Sequence, residues 1–104
     1  MATKSHSLEE HVQMGQLIKN VYKAIDEVIE FGRQHDMMNS KHYERLYKMR
    51  GSRALYGLQS NLDDEMFRDC PYLTNDAFGV YYHEDETVTA EYLRDCVDKA
   101  RKPI

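Results

Sequence analysis

Lys41, Arg45 and Lys48 recur at i, i+4 and i+7, a spacing that places three cations on one face of a helix. Arg50 and Arg53 carry the basic surface further round, with Tyr43, Tyr47 and Tyr56 interleaved. Guanidinium forks bind phosphate or carboxylate oxygens in pairs, and tyrosine rings add rigid amphipathic contact area. The chemistry on offer is recognition. One target is another macromolecule, most simply a protein bound by a small regulator or inhibitor. The alternative is an anionic small ligand such as a nucleotide, held by Lys48, Arg50 and Arg53 with Tyr47 or Tyr56 stacking on a base.

The charge balance marks this stretch out. Residues 1–40 carry four basic and six acidic side chains, residues 41–62 five basic and one acidic, and residues 63–104 five basic and eleven acidic. A basic segment thus sits inside a chain of net charge −4, which as a whole has no bias toward nucleic acid. The acidic C-terminal part could also fold back and neutralise it; Asp63, Asp64, Glu84, Asp85 and Glu86 are the candidates for that.

Residues for catalysis are harder to find. His6, His11, His35, His42 and His83 include no HxxxH or HExxH pair, the spacing that puts two imidazole ligands on one helical face. His6 with Glu9 and His83 with Glu86 have i, i+3 spacing, but neither pair is expected on a helix. His35 and His42 are expected as exposed residues flanking a turn. Asp63, Asp64, Glu65 and Asp69 are the residues a metal-dependent helical enzyme would use, although such a cluster is more often solvated surface. The chain has no phosphate-binding P-loop, GxGxxG or GxSxG motif. The expectation is a non-enzymatic protein with no catalytic residues, metal or cofactor.

Tyr47-Lys48-Met49-Arg50-Gly51-Ser52, with Gly57 beyond it, resembles the H-x-x-K-G-S…G stretch of histidine phosphotransfer domains over about eleven residues. That family consists of small helical bundles that relay phosphate between signalling proteins. Tyr47 stands at the position of the phosphorylated histidine and Arg50 at that of the lysine. The resemblance therefore implies, at most, a decoy that docks the same partners without accepting phosphate.

The elements that must position these residues are helical. Ser7-Leu8-Glu9-Glu10 has the S-x-x-E form of a capping box and opens a helix over 7–35, after a flexible terminus at 1–6. Met14, Ile18, Val21, Ile25 and Val28 alternate spacings of four and three, a heptad seam, with Leu17, Ala24 and Phe31 beside it. Lys19, Lys23, Asp26, Glu27 and Glu30 are assigned to the solvated face. Met37-Met38-Asn39-Ser40 is expected as a turn, with Asn39 or Ser40 capping the next helix. That second helix, over 41–69, ends at Cys70-Pro71. Gly51, Ala54 and Gly57 in its middle imply a close crossing or a kink. Residues 71–86 form an irregular segment in which Phe78-Gly79-Val80-Tyr81-Tyr82 is β-prone. A third helix over 88–102 ends at Pro103, with Lys99, Arg101 and Lys102 opposing its dipole.

The expected fold is all-α: a long antiparallel helical hairpin plus a shorter C-terminal helix, in one domain. Its wide apolar stripe calls for a homodimer or higher oligomer with Met14, Ile18, Val21, Ile25 and Val28 at the interface. Mean hydropathy is −0.76, and no apolar run approaches the ~20 residues of a membrane span. With no apolar leader near Met1, the expected location is cytoplasmic. Cys70 and Cys96 are expected as reduced thiols, a bridge between them being the alternative.

Overall fold

Ser7 begins the first helix as its spacing predicts. Its hydroxyl accepts from the Glu10 amide at 3.1 Å while the Glu10 carboxylate accepts from the Ser7 amide at 3.0 Å. The computed structural model describes residues 5–101; the expectations for residues 1–4, Lys102 and Pro103 lie outside them. Helix α1 spans Leu8–Gln34 and ends where Asp36 takes a positive φ of 51°, a conformation Asp tolerates better than most residues. His6, expected in the flexible terminus, is instead tied down: its amide donates to the Asp69 carboxylate at 3.1 Å.

The expected second helix is two. Helix α2 spans Ser40–Arg50, with Asn39 as its cap, and α3 spans Arg53–Asp69. The break falls at Gly51-Ser52. Ser52 is extended (ψ 144°), and its hydroxyl accepts from the Leu55 amide at 3.2 Å, so it caps a new helix rather than continuing the old one. The phosphotransfer-like segment straddles this break.

Partners of α1 come in reverse order along the returning chain. Met38 lies against Gly32, Arg50 reaches Asp26, Gln59 bonds Tyr22 and Asp69 bonds His11. Of the β-prone residues, Phe78, Gly79 and Val80 instead end a 3₁₀ helix over Asn75–Val80 that Tyr81 caps, and the described residues contain no strand. With three residues per turn, Ala77 and Val80 fall on one face and both are buried, with Tyr81 beside them. Burial favours the tight helix because it seats all three in the core, with Val80 over Gly15 and Tyr81 bonded to His11 of α1. The last helix, α4, spans Ala90–Arg101, and Leu93 and Val97 face the core. Both cysteines are free thiols, Cys70 buried and Cys96 partly so. Among the described residues no helix is long and apolar enough to cross a membrane.

Two parallel heptad lines run down α1. His11, Gly15, Ile18, Tyr22, Ile25, Ile29 and Gly32 are the buried one. Met14, Leu17, Val21, Ala24, Val28 and Phe31 are the exposed one. Of the residues expected at an oligomer interface, Ile18 and Ile25 face their own chain, and only Met14, Val21 and Val28 remain open. The reason is that α3 and the 3₁₀ helix pack on one side of the broad stripe and leave the other uncovered.

Lys19 also departs from expectation. It is 2% exposed, and its Nζ donates to the carbonyls of Gly79 at 2.5 Å and Glu86 at 2.8 Å. Burial lowers its pKa, and the Glu86 carboxylate partly opposes that shift. The side chain staples the 75–86 segment to α1.

Candidate functional site

The eight basic and aromatic residues singled out in the sequence do not form one surface. Arg50 is committed to the fold. Its guanidinium donates to Asp26 at 2.7 and 3.1 Å and to Glu84 at 2.8 Å, and lies over the Tyr22 ring at 5.3 Å. Asp26 holds its carboxyl below the usual range for this reason. The acidic C-terminal part thus does reach the basic segment, through Glu84 alone among the described ion pairs. Arg50→Ala is expected to lower stability by about 1 kcal/mol, the scale of a half-exposed ion pair. Thermal melts at low and high salt check this: the gap from the parent should narrow as salt rises.

Arg45 turns toward α1. It lines an apolar groove of about 780 Å³ with His42, Leu46, Met37, Val28 and Phe31. Arg53 and Tyr56 belong to α3, where Tyr56 is exposed and lies 6.4 Å from the Tyr82 ring. Lys41 is exposed at the start of α2. What remains together is the outer side of α2. Ser40, Tyr43, Glu44, Tyr47 and Lys48 have i, i+3, i+4, i+7, i+8 spacing and, with Arg33 of α1, line a shallow depression of about 600 Å³. Lys48 pairs with Glu44 at 3.1 Å, both well exposed. Among the described residues Lys41, Arg45 and Arg53 have no carboxylate partner within ion-pair distance.

A second polar assembly escaped sequence reading. His11 Nε2 lies 2.9 Å from the Asp69 carboxylate and its Nδ1 lies 2.6 Å from the Tyr81 hydroxyl. Hydrogen bonding from His11 keeps Asp69 below the usual carboxylate range, so it accepts. Burial and the nearby carboxylates of Glu65, Asp63 and Asp69 raise the Tyr81 phenol, so it keeps its proton. The consistent arrangement has Nε2–H donating to Asp69 and Tyr81 O–H donating to Nδ1. This carboxylate–imidazole–phenol order could hold and pass a proton, but the terminal tyrosine is 0% exposed. Its evident effect is to tie α1, α3 and the 3₁₀ segment together.

Gln59 extends the network, accepting from the Tyr22 hydroxyl at 2.8 Å and donating to the Tyr81 carbonyl at 2.7 Å. The clue available in the sequence was position: His11 lies on the same heptad line as Ile18, Tyr22 and Ile25. Of the carboxylates considered for a metal, Asp63 is buried in α3, while Asp69 serves His11 and the His6 amide. Among the described residues no group of three His, Cys, Asp or Glu side chains is placed to hold a metal ion. His83 and Glu86 do meet, at 3.1 Å, as an exposed pair outside any helix.

No protein-family model, curated protein or solved structure matches this chain.

Proposed function

We propose that this protein is a non-enzymatic binding protein, a small regulator or inhibitor of another protein, and that the outer side of α2 is its contact surface. One observation carries the reading: α2 buries none of its own residues. Eleven residues fall short of the ~12–15 at which isolated helices become even marginal in water. Such a helix gains stability when its open side is covered. Tyr43 and Tyr47 beside Arg33 and Lys48 supply the aromatic and cationic contacts that protein interfaces favour. Two free thiols fit an intracellular, cytoplasmic setting. The nucleotide reading has less support, because Arg50 is already held by two carboxylates. A phosphotransfer-like decoy would use the same Tyr47 face and would differ only in its partner.

In the free protein, α2 amides are expected to exchange with solvent about 100-fold faster than those of α3. Equal protection would remove the premise. The binding test compares proteins retained from the expression host by the parent and by a Tyr47→Ala, Lys48→Glu double variant. Tyr92→Ala on α4, also half-exposed, serves as the control. A partner lost with the α2 changes and kept with the control carries the reading; an identical retained set for all three overturns it.

A further inference from the structure

The uncovered heptad line of α1 is a palindrome. Met14, Leu17, Val21, Ala24, Val28 and Phe31 alternate spacings of three and four over about 26 Å of helix, and all six are exposed. Reversed, the row keeps the same spacing. An antiparallel copy sets Met14 opposite Phe31, Leu17 opposite Val28, and Val21 opposite Ala24. The large residues meet at the ends and the small ones at the centre, where the helices can approach closely.

The next position outward at each end decides the orientation. Glu10 precedes Met14 on the same line and His35 comes after Phe31 on it. Antiparallel packing brings the Glu10 carboxylate of one copy against the His35 imidazole of the other. Parallel packing would set Glu10 against Glu10 and His35 against His35. On the open flank, antiparallel packing puts Glu27 opposite Asn20, with Lys23 one turn further. The Glu10–Glu10 pairing of the parallel arrangement would oppose like charges directly, which interfaces avoid.

The shape of the molecule agrees. It measures 57 × 37 × 18 Å, so its thinnest dimension is less than two helix diameters, and its radius of gyration is 17.2 Å against ~13 Å for a compact chain of this length. Among the described residues no third layer covers α1. We infer that this protein forms an antiparallel homodimer in which Met14, Leu17, Val21, Ala24, Val28 and Phe31 of α1 pack against the same row of a second copy. The outer side of α2 stays free, so the inference stands independently of the reading above.

Sedimentation equilibrium of the full chain tests it. The expected mass is twice 12.3 kDa. Leu17→Glu with Val28→Glu should weaken association by about 100-fold while keeping helical circular dichroism and a cooperative melt, because both positions are exposed in one copy. Ala24→Gln is a second variant, at an open helical site where folding is undisturbed, and should also shift the protein toward monomer. Orientation is read by oxidising a mixture of Met14→Cys and Phe31→Cys chains and mapping the cross-linked peptides: a link from 14 to 31 between chains is expected. A parent that is monomeric at 100 μM (about 100 times a micromolar dissociation constant) overturns the dimer. So does a dimer unmoved by both seam variants, and cross-links joining 14 to 14 or 31 to 31 overturn the antiparallel arrangement.

Discussion

Gly15→Ala is expected to destabilise this protein by about 3 kcal/mol, lowering its melting temperature by about 15 °C. Propensity alone points the other way, since alanine is favoured over glycine within a helix by about 1 kcal/mol. The reversal comes from what lies above Gly15. A Cβ there would overlap the carbonyl oxygen and carbon of Val80 and its Cγ1. Two of those atoms are backbone and cannot swing aside. Lys19, one turn along α1, holds the carbonyls of Gly79 and Glu86, so the 3₁₀ helix cannot lift without breaking buried hydrogen bonds. Lifting it would also draw Ala77, Val80 and Tyr81 out of the core. Gly57→Ala provides the contrast: nothing among the described residues lies within 4 Å of its Cβ position, and the change should stabilise by about 0.5–1 kcal/mol. Denaturant unfolding of both variants checks the pair. A neutral or stabilising Gly15→Ala would mean that the 3₁₀ helix does not sit on α1 at this point.

Asp63→Asn is expected to stabilise the protein by about 1–2 kcal/mol at neutral pH and by nothing below pH 4. Asp63 is 6% exposed and its Oδ1 has no hydrogen-bond partner among the described residues. Burial, with a smaller contribution from the Asp64 carboxylate, pushes its carboxyl up to about 6. The folded-state value lies above the unfolded one. Below pH 4 both states are protonated and the site contributes no pH dependence. Between pH 4 and 6 the unfolded chain releases its proton while the folded chain retains it, so stability falls as pH rises. Above about pH 6 the folded carboxyl ionises too, and the penalty levels off. Asparagine keeps the shape and removes the charge.

Asp69 acts in the opposite sense. The His11 hydrogen bond depresses its folded value, so its contribution is present above the unfolded carboxylate range and is lost as acid takes the pH through the lowered folded value. Unfolding measured from pH 3 to 8 should therefore show a decline between pH 4 and 6 in the parent. That decline should be absent in Asp63→Asn, while the loss at the acid end persists. Identical profiles for the two proteins would mean that Asp63 is solvated or paired.

Much of the helical plan was legible locally. Ser7 and Glu10 form the capping box their spacing predicts, Asn39 caps the helix after the turn, and Cys70 ends the one before Pro71. These are signals carried within four or five residues, and a hydrogen bond of that span needs no distant partner. The break at Gly51-Ser52 was also written locally, as glycine and then a capping residue. The strong helical pattern on either side masks it, because two non-helical residues barely disturb a period of about 3.6.

Which face of α1 is inside was not legible. Two heptad lines lie side by side, and both are rich in apolar residues. The tertiary structure chooses the line with His11, Gly15 and Lys19 close to it, because Gly15 leaves room for the Val80 carbonyl to sit on α1 and Lys19 donates to the carbonyls of Gly79 and Glu86. The partners that decide this are 58 to 70 residues away in sequence: Asp69 and Tyr81 for His11, Gly79 and Glu86 for Lys19. A buried lysine or histidine is favourable only when such acceptors converge on it, and periodicity carries no information about that convergence. The same holds for the basic segment. Its composition was plain in the sequence, but the fold alone turned Arg50 inward to Asp26 and Glu84 and left Tyr43, Tyr47 and Lys48 facing out. Local spacing determined that this chain is helical and where α1 and α2 begin; long-range packing decided which side chains are core and which remain free to meet another molecule.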